Sequence, residues 1–264
     1  MNLEHLTRDP KTRTHQTPLL LQHGAWHAAW CWEGWMDYFA EKGYEVHALS
    51  LPAHGGSDPA RGHINLHTLG DYVRAFGQIV ESISPRPVVI GHSMGGGIVQ
   101  KYLENHTLPG AVLLASIPTN GIAGFLLRQM IRYPDLIPAL LMWNTYTFVK
   151  TPQRVKAQFF GPDSTVDPVA FHKMVQVESF LIATQTLIPF VNPVKVLQGK
   201  TPLLVLAGEK DAVFTVEEER KMAERYGVPL KVFPRQGHNL MVEPMAREVA
   251  DYVDAWVTET LRLP

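Results

Sequence analysis

The sequence predicts an α/β fold, with a mostly parallel central sheet flanked by helices and a helical insertion before the last strands. Three observations predict it. Short apolar runs alternate with helical patterns, most of the runs are bounded by Gly or Pro, and the alternation stops across one proline-punctuated stretch before resuming. With 264 residues, 45% of them apolar, the chain is long enough for a large core, and folds of this class often reach that length as one core carrying an insertion.

Taken in order, Leu19-Leu20-Leu21, Val46-His47-Ala48-Leu49, Val88-Val89-Ile90, Ala111-Val112-Leu113-Leu114, Leu203-Leu204-Val205-Leu206 and Leu230-Lys231-Val232-Phe233 read as strands. A strand of a parallel sheet is covered on both faces, so it runs apolar without strict alternation. Leu66, Leu69, Tyr72, Val73, Phe76, Val80 and Ile83 form one helical face, and Ile98, Val99, Tyr102 and Leu103 form another. Thr215 and Glu218 have the spacing of a capping box, and Val249, Tyr252, Val253 and Trp256 belong to a closing helix. Between Thr119 and Val196 no strand pattern appears, and Pro134, Pro138, Pro152, Pro162, Pro168, Pro189 and Pro193 divide helical stretches. The expected organisation is therefore a core of residues 1–118 and 197–264 with a helical cap over 119–196. Right-handed crossovers bring the carboxyl ends of the strands to one edge, where the following loops can build a site.

A formal net charge of −1 argues against broad electrostatic capture of nucleic acid or anionic membrane, which leaves a small, largely uncharged molecule as the expected partner. Cys31 is the single cysteine; it precludes an intrachain disulfide and is expected to pack as a small apolar group in an amphipathic helix. Met1 to Thr17 lacks the apolar core of a signal peptide, and no apolar run approaches the ~20 residues of a membrane span. The expectation is a cytoplasmic protein without membrane insertion.

The chemistry is concentrated at strand ends. Gly91-His92-Ser93-Met94-Gly95 follows an apolar strand and opens a helix, so Ser93 occupies a sharp turn whose small neighbours tolerate a strained serine backbone. A hydroxyl needs a base, and His238 lies in the loop after the last strand. That imidazole needs an acceptor to fix its tautomer; Asp211, after the strand 203–206, is the candidate, and Glu209 is the runner-up. Gln22-His23-Gly24-Ala25-Trp26 follows the first apolar strand and can set the Ala25 amide opposite the Met94 amide as an oxyanion hole.

The order Ser93, Asp211, His238, with an oxyanion turn upstream and an insertion before the acid, resembles the α/β-hydrolase family over nearly the whole chain. Within that family, His23-Gly24-Ala25-Trp26-His27-Ala28-Ala29-Trp30-Cys31-Trp32 is similar to the oxyanion segment of plant methylesterases and hydroxynitrile lyases, although Ser50 stands where an aspartate often precedes the following loop. The resemblance implies a serine hydrolase cleaving a carboxylic ester through an acyl-enzyme, without a cofactor. Carbon–carbon bond hydrolysis, cyanohydrin cleavage with the same triad and a ligand receptor on a hydrolase fold are the rival readings. Epoxide hydrolysis and dehalogenation are disfavoured, because such family members carry a carboxylate where this chain has Ser93.

Other motifs carry less. Metal catalysis is not expected: His23/His27 and His63/His67 have i,i+4 spacing, but neither pair has the glutamate of a zinc protease helix. Gly199-Lys200-Thr201 lacks the earlier glycine of a phosphate loop and leads into a strand. His92 is read as a structural hydrogen-bonding residue, and His54 as lining the pocket or satisfying its own loop. Trp26, Phe125, Trp143, Phe148, Phe180, Phe214 and Met241 are the candidate pocket-lining residues; as a group they favour an apolar acyl or alcohol moiety.

Overall fold

A computed structural model describes residues 2–262. Among these, seven strands form one sheet in the order β1-β3-β2-β4-β5-β6-β7. The expected strands are β2 (Leu19–Gln22), β3 (Val46–Leu49), β4 (Val88–His92), β5 (Ala111–Leu114), β6 (Leu203–Gly208) and β7 (Leu230–Phe233), all in parallel pairs. The remaining strand, β1 (His5–Arg8), is an addition to the sequence reading and pairs antiparallel with β3. Its residues His5, Thr7 and Arg8 have no apolar run to announce it, as suits an edge strand guarded by polar side chains.

Alternate residues of each central strand enter opposite faces, and both faces are apolar. Leu20, Val89, Leu113 and Val205 pack with helices α2 (Leu69–Ser82), α3 (Met94–Leu103) and α10 (Val216–Tyr226). Leu19, Leu21, Ile90, Val112 and Leu206 pack on the other side with α1 (Glu33–Glu41) and α11 (Ala246–Ala255). The Thr215–Glu218 capping box forms with both reciprocal bonds and opens α10. Cys31 is buried as expected, but in a single 3₁₀ turn (Ala29–Trp32) leading into α1 rather than in an amphipathic α-helix.

Between β5 and β6 the chain is helical, with α4 (Ala123–Arg132), α5 (Leu136–Leu141), α6 (Pro152–Phe159), α7 (Pro168–His172), α8 (Phe180–Gln185) and α9 (Pro193–Gln198). Prolines stand at the first turn of α6, α7 and α9, where the missing amide hydrogen costs nothing. Helix α9 runs across the expected boundary at residue 196 and packs on α3 and α10. No helix among the described residues is long and apolar enough to cross a membrane.

Candidate active site

Strand β4 ends at His92 and α3 starts at Met94, so Ser93 alone makes the turn, at φ 53° and ψ −118°. That backbone costs a non-glycine residue about 1–3 kcal/mol and persists only where the surroundings impose it. They do: the Ser93 amide donates to Leu114 O (3.0 Å), while its carbonyl accepts from Gly97 N (3.2 Å) and Ile117 N (3.0 Å). Two glycines permit the close approach of the neighbouring loops. A Cβ on Gly24 would lie 2.8 Å from Ser93 Cβ and 2.9 Å from His92 Nδ1, and one on Gly95 would strike the carbonyls of Gln22 and His23.

Asp211 and His238 lie in the loops after β6 and β7, at the same sheet edge. Oδ1 of Asp211 accepts from the amides of Val213 (2.7 Å) and Phe214 (3.0 Å), and Oδ2 accepts from His238 Nδ1 (2.8 Å). The aspartate is thereby locked by its own turn, and it fixes the imidazole with Nδ1 protonated and Nε2 as the free acceptor. His92 donates through Nε2 to the His238 carbonyl (3.0 Å), and the two rings are 4.7 Å apart, which ties the histidine loop to the residue before Ser93. No hydrogen bond joins Ser93 to His238 among the described residues. Glu209 is elsewhere: its exposed carboxylate accepts from Arg235 N (2.8 Å) and pairs with Lys210, and it plays no part in holding His238.

Ser93 lines a cavity with Ala25 and Met94, and neither of their amides has a hydrogen-bond acceptor among the described residues. The orientation of the first amide has a visible cause. Gly24 O accepts from His23 Nδ1 (2.8 Å) and His27 N (3.4 Å), which turns the carbonyl of a planar peptide into the protein and its Ala25 N–H the opposite way. His23 Nε2 accepts from Leu51 N (3.0 Å), so its tautomer is fixed, and burial holds its pKa well below the usual histidine value.

The cavity is a narrow slot of about 50 Å³. Trp26, Phe125, Phe148 and Phe214 line it. Three other candidates do not. Trp143 is 47% exposed and stacks on Phe180 at 5.1 Å, the two rings covering each other away from the cavity. Met241 is buried in the cluster on the opposite face of the sheet, because the chain turns under that face after His238.

Residues absent from the sequence reading complete the walls, among them Ile117, Ile182, Thr145 and Glu178. Glu178 is buried and accepts from His54 Nε2 (3.1 Å), Tyr72 OH (2.9 Å) and Ser179 N (2.6 Å). His54 also contacts Pro52 O through Nδ1 (3.1 Å), so both ring nitrogens face acceptors. Desolvation opposes its charge, but Glu178, by attraction and hydrogen bonding, with Pro52 O raises its pKa above the usual value. A lone acid between Val177 and Phe180 was the available signal for Glu178; only the fold pairs it with His54. Glu219 gave no signal, since it sits in an acidic run that reads as a solvated helix face. It is fully buried with neither oxygen partnered among the described residues, and burial, then the charges of Asp211 and Glu218, raise its pKa well above the carboxylate range.

A family model described as "Alpha/beta hydrolase family" matches residues 19–252. The chain belongs to the α/β hydrolase family. Among this hydrolase's relatives, a pyrethroid hydrolase of Sphingobium wenxiniae is 26% identical over 90% of this chain and 88% of its own length. A monoacylglycerol lipase of Mycolicibacterium smegmatis is 27% identical over 92% and 88%. Methylesterase 3 of Arabidopsis thaliana is 34% identical over 30% of either chain, in keeping with the resemblance to plant methylesterases. The solved structure of an esterase from Exiguobacterium antarcticum superposes with a TM-score of 0.72 at 20% identity, covering 97% of this chain and 96% of the other, and shares the fold.

Proposed function

We propose that this α/β hydrolase cleaves carboxylic esters of small, largely apolar molecules through an acyl-enzyme on Ser93. The observation that carries the proposal is the strained serine sharing one cavity with two unpartnered amides, while Phe214 of the same cavity packs 5.7 Å from an imidazole whose Nδ1 is held by a carboxylate. Ser93 Oγ attacks the ester carbonyl as His238 Nε2 takes its proton. The carbonyl oxygen gains charge between the amides of Ala25 and Met94, each such donor being worth about 2.7–4 kcal/mol in a transition state. His238 then protonates the departing alcohol, and water repeats the sequence against the acyl group. Asp211 keeps Nε2 basic and stabilises the imidazolium without taking its proton.

The wall chemistry supports an apolar acyl or alcohol group. Every polar side chain around the slot other than Ser93 is already engaged by the protein: Thr145 donates to Glu178 O, Ser179 to His67 O and Thr186 to Ile182 O, and Glu178 accepts from three donors. An acceptor or an anion on the substrate would find no free side-chain donor there apart from Ser93. Residues 119–196 act as a cap, contributing Phe125, Thr145, Phe148 and Ile182 to the slot. The ester activity of relatives such as the monoacylglycerol lipase is consistent with this reading.

The test is labelling by a serine-directed fluorophosphonate together with turnover of p-nitrophenyl esters of graded acyl length. Wild type should label, release an acyl-enzyme burst and prefer unsubstituted acyl chains; Ser93→Ala should lose labelling and turnover while keeping its thermal transition. Labelling that survives Ser93→Ala, or turnover with no trapped acyl group, would reject the mechanism.

A further inference from the structure

We propose that His27, backed by Asn239, is the positioning residue that holds the Ala25 amide in line for the oxyanion and couples the oxyanion loop to the loop of His238. The proposal rests on the ester-hydrolase reading of the site and goes beyond it by naming a pair outside the triad.

His27 is buried beneath the loop that it serves. Its Nδ1 donates to Ala25 O (2.6 Å), and its Nε2 receives a hydrogen bond from Asn239 Nδ2 (3.0 Å). Ala25 is therefore pinned on both sides: the carbonyl before its amide is held by His23, and its own carbonyl by His27. With both flanking peptides fixed, the Ala25 N–H cannot swing out of line. Asn239 adjoins His238 in sequence, and its own amide is fixed to Phe159 O (2.9 Å).

The proton positions follow from the partners. Ala25 O can only accept, so Nδ1 of His27 carries the hydrogen. If the Asn239 amide were turned to present its oxygen, Nε2 would need a second proton, and His27 would be an imidazolium. Burial opposes that: it is the main cause lowering the His27 pKa to about 4, with the neighbouring His238 and His54 adding to it and the Ala25 bond and Glu178 acting against it. His27 is thus a neutral relay that donates to the oxyanion loop and accepts from the histidine loop. Edge contacts with Phe159 and Phe171, at 5.0 and 5.6 Å between ring centres, hold the ring in place.

The function of such a relay is precision, since a small misplacement of a donor can cost about a hundredfold in rate. The pair also makes a specific energetic claim. The two bonds act in series, so breaking either should release the same constraint, and breaking both should cost little more than breaking one.

His27→Phe keeps the ring contacts and removes both bonds; Asn239→Leu removes only the second. With p-nitrophenyl butyrate, His27→Phe should lower kcat by about ten- to hundredfold with KM within about threefold, and weaken binding of a trifluoromethyl ketone, whose adduct carries the oxyanion, by a similar factor. Asn239→Leu should act in the same direction, and the double variant should fall far short of the product of the two. In wild type, ¹⁵N shifts of the His27 ring should report the neutral Nδ1–H form at pH 7, a readout that survives even if a variant fails to fold. Unchanged kcat and ketone affinity in folded His27→Phe, fully multiplicative losses, or the Nε2–H tautomer in wild type would overturn the relay. Absence of Ser93 labelling in wild type would instead overturn the underlying ester-hydrolase reading.

Discussion

The carboxyl edge of the sheet and the helical segment between β5 and β6 meet at one slot, yet they are built differently. At the sheet edge each proposed catalytic group is held by hydrogen bonds: Ser93 by the backbone of Leu114, Gly97 and Ile117, Asp211 by the amides of Val213 and Phe214, and the His238 carbonyl by the His92 side chain. The helical segment presents Phe125, Phe148 and Ile182 to the slot but leaves Ile131, Leu141 and Met142 largely in solvent. The edge is specified by polar geometry and the segment by apolar contact, which tolerates substitution. The first should govern turnover, and the second which substrates enter.

The largest effect should come from the edge. Asp211→Asn keeps the bonds to its own turn but offers His238 an ambiguous partner, so kcat should fall by about 10⁴-fold with KM nearly unchanged. Glu209→Gln, on an exposed side chain two residues away, should leave kcat within about twofold. Steady-state kinetics of the two variants separate the roles, and a greater loss in Glu209→Gln would move the acid to that position.

A smaller, differently shaped effect is expected in the helical segment. Phe125 lines the slot and packs near Phe148 and Phe214, at 5.7 and 6.1 Å between ring centres. Phe125→Ala should shift the preferred acyl chain to longer or bulkier esters and raise KM for short ones, and should also lower stability by about 3–5 kcal/mol. Trp143→Ala, at the solvent face, should change neither selectivity nor kcat by more than about twofold. Measuring kcat/KM across an acyl series for both variants tests whether the slot or the outer face reads the substrate.

How much of this could be read beforehand follows the same division. The central parallel strands were legible because doubly covered strands are apolar runs, and Ser93 and Asp211 because each sits in the first turns after such a run, whereas His238 follows the half-exposed edge strand β7. The polar strand β1 was not, since edge position depends on what lies beside it. In the segment 119–196 the aromatic content was plain, but which face each ring presents depends on how short helices cross. Phe125 and Phe148 turn inward while Trp143 and Phe180 cover each other. The His54–Glu178 contact joins residues 124 positions apart and has no local signature at all.

That contact offers the finest test of the comparison, because it links a loop after β3 to the helical segment. Breaking a buried pair by removing one partner costs about 3–5 kcal/mol, so Glu178→Gln should lower the thermal transition. Its pH dependence carries more information. The His54 pKa is raised in the folded protein, so its contribution is complete below the unfolded value of 6.5 and fades as pH rises through the higher folded value. His23, His27 and His92 have the opposite sign: burial lowers their pKa values, so their contribution is present above 6.5 and is lost as pH falls through the folded values. A wild-type pH–stability curve therefore mixes the two. Glu178 also acts on His27, whose pKa is about 4, so above pH 6 the difference between wild type and Glu178→Gln reports chiefly His54, and in denaturant unfolding it should be greatest near pH 6 and shrink towards pH 9. A gap that stays constant over that range would mean that His54 is neutral in the fold and donates from only one of its two ring nitrogens, to Glu178 or to Pro52 O.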